Sequence, residues 1–201
     1  MNSSSQQALF VEGMRLATEI KGNDVKLASP GSGMYLLFGP VPSTQSINIK
    51  FGRAFERFFE EAVSLGTNNF ILMPSGVWEE INKDLDLIFR DDENKIIYYR
   101  ELKLNLNLDT EKIVATYEKI NYITDFLIKK YPDYEINSAL LTWSTFNLDD
   151  ITAQSQVKKA DDYYVSVEDP ETFFELVGMP MNKDNYEEFF RSIGALFKGD
   201  S

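Results

Sequence analysis

Two residue types are missing from this 201-residue chain: cysteine and histidine. Without cysteine there are no disulfides, no thiolate zinc sites and no cysteine nucleophile. Without histidine there is no Ser-His-Asp triad, no imidazole base and no imidazole metal ligand. Neither GxxxxGK[ST] nor GxGxxG occurs, so nothing supports a P-loop or a dinucleotide fingerprint. No apolar run approaches bilayer length, and the opening MNSSSQQ lacks the basic and apolar regions of a signal peptide. A soluble, cytoplasmic protein is expected. If the chain is an enzyme, carboxylates, lysines and tyrosines must carry the chemistry, with a hard cation as their natural companion.

Positive charge is also scarce. Twenty Lys and Arg stand against 32 Asp and Glu, for a net charge of −12. A nucleic-acid-binding protein usually carries a basic footprint, because phosphate neutralisation supplies most of its affinity. Any such partner would have to be met by local clusters of lysine. The 43% hydrophobic and 13% aromatic content is that of a globular chain, and the length fits one domain with a sizeable core.

The chemistry concentrates in Asp84 to Asn107, DLDLIFRDDENKIIYYRELKLNLN. Its first six residues alternate, which predicts one strand with Asp84, Asp86 and Ile88 on one face and Leu85, Leu87 and Phe89 on the other. Asp91 to Asn94 supplies a turn. From about Lys95 to Leu108 a second strand sends Leu102, Leu104, Leu106 and Leu108 one way and Glu101, Lys103, Asn105 and Asn107 the other. A Glu and a Lys two residues apart, close to two aspartates, suit Mg²⁺ with an activated water beside it. Mg²⁺ takes oxygen ligands and often needs only one or two protein carboxylates besides substrate phosphate. The lysine can orient or deprotonate the water, or neutralise charge on the phosphate. The plain alternative is an ordinary hairpin with a solvated charged face.

Asp86 followed after a hairpin by Glu101-Leu102-Lys103 resembles the PD-(D/E)XK nuclease superfamily, the restriction-endonuclease-like fold, over about residues 49–143. The resemblance implies that Asp86 and Glu101 bind Mg²⁺ and that Lys103 assists the attacking water, so these three are the expected catalytic residues. Leu85 stands where the pattern has proline. Asp84 is a further possible ligand. So is Glu56, on the flank of a helix read over Phe51–Gly66, because the first core helix of that fold often contributes a glutamate.

The remaining chain fits an αβββαβ order. A helix is predicted over residues 6–21, then a long connection from Ala28 to Ser46 and the helix at Phe51–Gly66. A buried strand follows at Asn69–Pro74, and a helical turn at Val77–Lys83. After the hairpin, Asp109 caps a helix to Tyr131 whose apolar stripe runs through Ile113, Tyr117, Ile120, Ile123 and Leu127. Glu135–Trp143 reads as an interior strand and Tyr163–Val167 as a late one. A short helix follows at Pro170–Val177 and a last helix at Asn182–Phe197, the latter closing the core or pairing with a second subunit. Lys112 and Lys119 lie off the stripe of the long helix and are candidate DNA contacts, with Asn105 and Asn107. The stretch TAQSQVKKA suggests a recognition loop through Thr152, Gln154, Ser155, Gln156, Lys158 and Lys159, since such side chains pair with base edges or phosphate.

The expected protein is α/β, a mixed sheet flanked by helices, in one nuclease domain over 1–201. Its core is placed at about 49–143, with an arm at 1–48 and a C-terminal segment at 144–201 for recognition or dimerisation. The expected activity is Mg²⁺-dependent cleavage of double-stranded DNA by a type II restriction endonuclease, a homodimer by analogy, with no nucleotide cofactor. A repair or junction-resolving nuclease would use the same chemistry. A non-catalytic acidic protein, mimicking nucleic acid, would suit the charge but would scatter its carboxylates instead of gathering them.

Overall fold

The computed structural model describes residues 3–21, 44–103, 110–142 and 160–198. The elements are α1 (Ser3–Lys21), α2 (Thr44–Leu65), β1 (Ile71–Leu72), β2 (Gly76–Trp78), β3 (Lys83–Leu85), β4 (Leu87–Asp91), β5 (Ile96–Lys103), α3 (Thr110–Lys130), β6 (Glu135–Thr142), β7 (Ser166–Glu168), α4 (Pro170–Leu176) and α5 (Lys183–Lys198). Five strands form a mixed sheet in the order β1-β4-β5-β6-β7, and β2 and β3 form a separate two-stranded sheet. Strands β1, β4 and β5 are antiparallel neighbours, whereas β6 and β7 join β5 in parallel. The fold class expected from the sequence is the one observed.

Strand β5 is central and covered on both faces, so its parity sorts the molecule into two cores. Tyr98 and Leu102 face a cluster built with Leu87, Phe89 and the helices α2, α4 and α5. Ile97 and Tyr99 face a second cluster closed by the α3 stripe of Ile113, Tyr117, Ile120, Ile123 and Leu127, as its 3.6-residue spacing requires. The first cluster is rich in rings. Phe58 packs edge-on against Phe59, Phe174 and Phe190, and Phe55 stacks on Phe190 at 5.0 Å. Thus α5 sends Tyr186, Phe189 and Phe190 into the core beside α2. Helix α4 begins as its sequence predicts, with Asp169 accepting from Thr172 N and Pro170 in the first turn. Gly66 lets α2 end against α4, because a Cβ there would stand 2.1 Å from Val177 O.

The hairpin turn forms as expected. Asp91 Oδ1 accepts from the backbone N–H groups of Glu93 and Asn94. The Asn94 backbone bond, then its side-chain bond, hold the Asp91 carboxyl below its usual range.

Helix α2 begins at Thr44, inside the connection expected to run to Ser46, and β7 begins at Ser166, after a turn at Tyr163 and Tyr164; three further local expectations are corrected. Asn69–Pro74 yields only the two-residue β1, with Ile71 exposed, because the segment lies at the sheet edge against β4 alone. Val77–Lys83 is not a helical turn but the β2–β3 hairpin, pairing Gly76 with Leu85 and Trp78 with Lys83. Nor is Asp84–Phe89 one strand: it breaks at Asp86. Leu85 joins the α3 cluster while Leu87 joins the opposite one, so the alternation slips by one residue and Asp84 and Asp86 do not share a continuous face. Aspartate is a poor strand former, and this one exchanges ladder pairing for a side-chain bond.

Candidate active site

The register Leu87↔Arg100 between β4 and β5 places Asp86, one step further, opposite Glu101. At this point β3 leaves for its own sheet, and the carboxylate of Asp86 turns across to accept the backbone N–H of Leu102 through Oδ2 at 2.8 Å. Glu101 and Lys103 lie on the α3 side of β5, two residues apart, with Lys103 Nζ 2.7 Å from Glu101 Oε1. Two further groups converge on Glu101 Oε2. Tyr99 OH donates to it at 2.7 Å, and Lys119 Nζ, from α3, stands at 2.5 Å. The same Lys119 Nζ is 3.6 Å from Asp86 Oδ1. The cluster sits at the C-terminal ends of the parallel strands β5 and β6, a common position for sites in open α/β sheets.

Burial and charge set the protonation of these groups. Burial, reinforced by the charge on Glu101, pushes Asp86 up to about 6, against the opposing pull of Lys119 and Lys103. Burial also acts on Glu101, but Lys103 and Lys119 outweigh it and hold this carboxyl below its usual range. Burial works against the charged form of Lys119, yet Asp86 and Glu101 hold its ammonium above the usual lysine value. Tyr99 is pushed far up by burial and by Glu101, so it remains a phenol and a donor. The pKa values of the two carboxyls are thus driven apart beside two lysines, so that one can hold a proton where the other stays ionised.

The other expected site residues divide into three groups. Asp84 lies exposed on β3, near enough for its charge to act on Lys119 and Tyr99. Glu56 is half-buried on α2, the helix packed on the opposite face of the sheet, and the cluster forms without it. Lys112 is exposed on α3, whereas Lys119 is turned inward to the carboxylates. Asn105, Asn107, Thr152, Gln154, Ser155, Gln156, Lys158 and Lys159 lie outside the described residues.

Two more hydrogen-bonding side chains of β5 are buried, one on each face of the sheet. Tyr99 precedes Glu101 by two residues, so strand alternation alone puts both on one face. Arg100, of opposite parity, is buried among β5, β6 and β7. It donates to both carboxylate oxygens of Glu168 at 2.6 and 2.7 Å, and to the backbone and side-chain oxygens of Asn137. An arginine inside an apolar central strand is the signal for such a clamp, since an unpaired buried charge is not tolerated.

Among the described residues no group of three or more acidic ligands forms a metal cage. Asp86 and Glu101 supply two facing carboxylates, a set that fits a hard cation completed by water and substrate oxygens. Glu101 would hold it from β5 and Asp86 from the break between β3 and β4.

The chain is similar to a type II restriction enzyme. That relative is the type II restriction enzyme HinfI of Haemophilus influenzae, 24% identical over 125 residues, which cover 58% of this chain and 48% of the relative. The match thus spans about half the length of the relative. No family model matches the chain, and no solved structure matches it. The five-stranded mixed sheet flanked by helices is compatible with a restriction-endonuclease-like fold. Among the described residues no helix is long and apolar enough to cross a membrane.

Proposed function

We propose that the chain is a Mg²⁺-dependent endonuclease that hydrolyses phosphodiester bonds of double-stranded DNA at specific sites, as a type II restriction enzyme does. The observation that carries this reading is the convergence of Asp86, Glu101 and Lys103 at one end of the central strand pair. An acidic mimic would have no use for two buried carboxylates with lysines turned inward upon them. The distant similarity to a restriction enzyme supports the same chemistry.

In this reading Asp86 and Glu101 would hold Mg²⁺, and the ion would supply neutralisation of the charge that develops on the phosphate oxygens. Lys103 fixes or deprotonates the water that attacks phosphorus in line. Tyr99, through its bond to Glu101 Oε2, is a positioning residue. DNA contact falls to Lys112, Asn105, Asn107 and the segment with Gln154, Ser155, Gln156, Lys158 and Lys159. Cleavage of both strands of a symmetric site calls for a homodimer acting in the cytoplasm.

The test is cleavage of a large sequenced DNA with and without Mg²⁺, wild type beside Lys103→Ala. Discrete Mg²⁺-dependent fragments, lost in the variant, are expected. A Mg²⁺-dependent smear would instead support a repair nuclease. Intact linear and branched DNA would return the protein to the class of acidic interaction proteins.

A further inference from the structure

One ammonium bridges the two carboxylates of the site. Lys119 Nζ lies between Glu101 Oε2, at 2.5 Å, and Asp86 Oδ1, at 3.6 Å. Lys112, Lys129 and Lys130 of the same helix are exposed, so the inward turn belongs to this position. Two of the other positions around the carboxylates are held by groups with little freedom to leave. Leu102 N is backbone and holds Asp86 Oδ2; Tyr99 is fully buried and its hydroxyl holds Glu101 Oε2. With Tyr99 and Lys119 both on Oε2, its two lone pairs are used.

A divalent ion held by Asp86 and Glu101 together would need the space that Lys119 Nζ fills between them. Keeping both cations would leave them within about 4 Å of each other in a poorly solvated pocket. Two carboxylates and two ammonium groups already balance; a divalent ion added to all four leaves a buried excess of positive charge. The side chain of Lys119 is 21% exposed, and its flexible four-carbon stem can carry the ammonium out to water.

We propose that Lys119 is a displaceable counter-ion, whose ammonium holds the position between Asp86 and Glu101 and leaves it when a divalent metal binds. The proposal rests on reading the site as a metal site. Lys119 compensates the buried carboxylates of the metal-free protein and raises the metal concentration needed to fill the site. Lys103, on Glu101 Oε1, stays in place beside the water.

The experiment is calorimetric titration with Mg²⁺ and with Ca²⁺, without DNA, of wild type, Lys119→Met, Lys119→Arg and Lys129→Met, with thermal midpoints for each. Lys119→Met is expected to bind metal about ten-fold more tightly or better, from removal of a nearby cation. Its metal-free midpoint should fall below wild type, and saturating metal should raise it further than it raises wild type. Lys119→Arg should bind no more tightly than wild type, and Lys129→Met should match it. If Lys119→Met does not fold without metal, Lys119→Gln keeps a donor to Glu101 without the charge and should show the same tightening. Unchanged or weaker metal binding in Lys119→Met and Lys119→Gln, with wild type binding normally, overturns the counter-ion role alone. If wild type and every variant are indifferent to both ions, the metal-site reading falls and the proposal with it.

Discussion

The backbone N–H of Leu102 donates to the carboxylate of Asp86 at 2.8 Å. The middle residue of Glu101-Leu102-Lys103 therefore anchors the aspartate that faces this tripeptide across the hairpin. One short segment of β5 fixes three groups at once: Glu101 and Lys103 through their side chains and Asp86 through the peptide between them. That coupling ties all three groups to one backbone segment, the kind of fixed placement that the proposed chemistry requires.

Lys103 is the group whose loss should separate chemistry from folding. Lys103→Ala leaves Glu101 with Tyr99 and Lys119, so the fold should persist. Cleavage of DNA should fall by about 10²–10⁴-fold, the usual worth of one positioned acid–base group. Single-turnover rates beside a circular dichroism spectrum check both halves. A rate within a few-fold of wild type would remove Lys103 from the mechanism.

Tyr99→Phe removes a buried donor from an ionised acceptor. Hydrogen bonds to charged groups contribute about 1.5–3 kcal/mol, so the urea midpoint should drop by that equivalent with an unchanged slope. Activity should fall as well, because Glu101 loses the contact that orients Oε2. A variant as stable as wild type would show that Lys103 and Lys119 satisfy Glu101 without the phenol.

Arg100→Met tests the clamp on the opposite face. The substitution strips Glu168 and Asn137 of their shared partner, and breaking such a pair costs about 3–5 kcal/mol. Glu168 keeps some solvent contact, which favours the lower end. Hydrogen exchange should report the loss first at β7, which is held to the sheet through only three registered residues. Uniform exchange across the sheet would place the clamp in the global fold instead.

The pH dependence has a definite sign. Asp86 is raised to about 6, so the folded protein holds this proton more tightly than the unfolded chain does. Its contribution to metal-free stability is fully present below the ordinary aspartate range, is lost as pH rises, and is gone above about 6. Glu101 acts oppositely: held low by its lysines, it contributes stability above the usual glutamate range that is lost on acidification. Urea midpoints measured between about pH 4 and 7 should show the Asp86 slope in wild type and not in Asp86→Asn, which still offers an oxygen to Leu102. Mg²⁺ affinity should climb through about pH 6, where the ligand becomes a carboxylate. A pH-independent affinity across that range would exclude Asp86 as a ligand.

The sequence alone determined the elements whose pattern is local. The apolar stripe of α3, the Asp91 turn, the Asp169-Pro170 start of α4 and the parity of β5 all follow from periods of 3.6 and 2 and from capping chemistry. Parity also put Glu101 and Lys103 together on one face, and the resemblance singled out Asp86. Tertiary structure decided what depends on partners distant in sequence. The break at Asp86 cancels the strand that strict alternation predicts. It arises because that carboxylate finds a backbone N–H on the neighbouring strand, which no periodicity encodes. The inward turn of Lys119 was equally hidden: off the helix stripe it reads as a candidate DNA contact until the helix is packed over the two carboxylates. Arg100 is buried by the same logic, its charge tolerable only because β6 and β7 bring Asn137 and Glu168 to it. Periodicity is a property of neighbours along the chain; charge compensation is a property of neighbours in space.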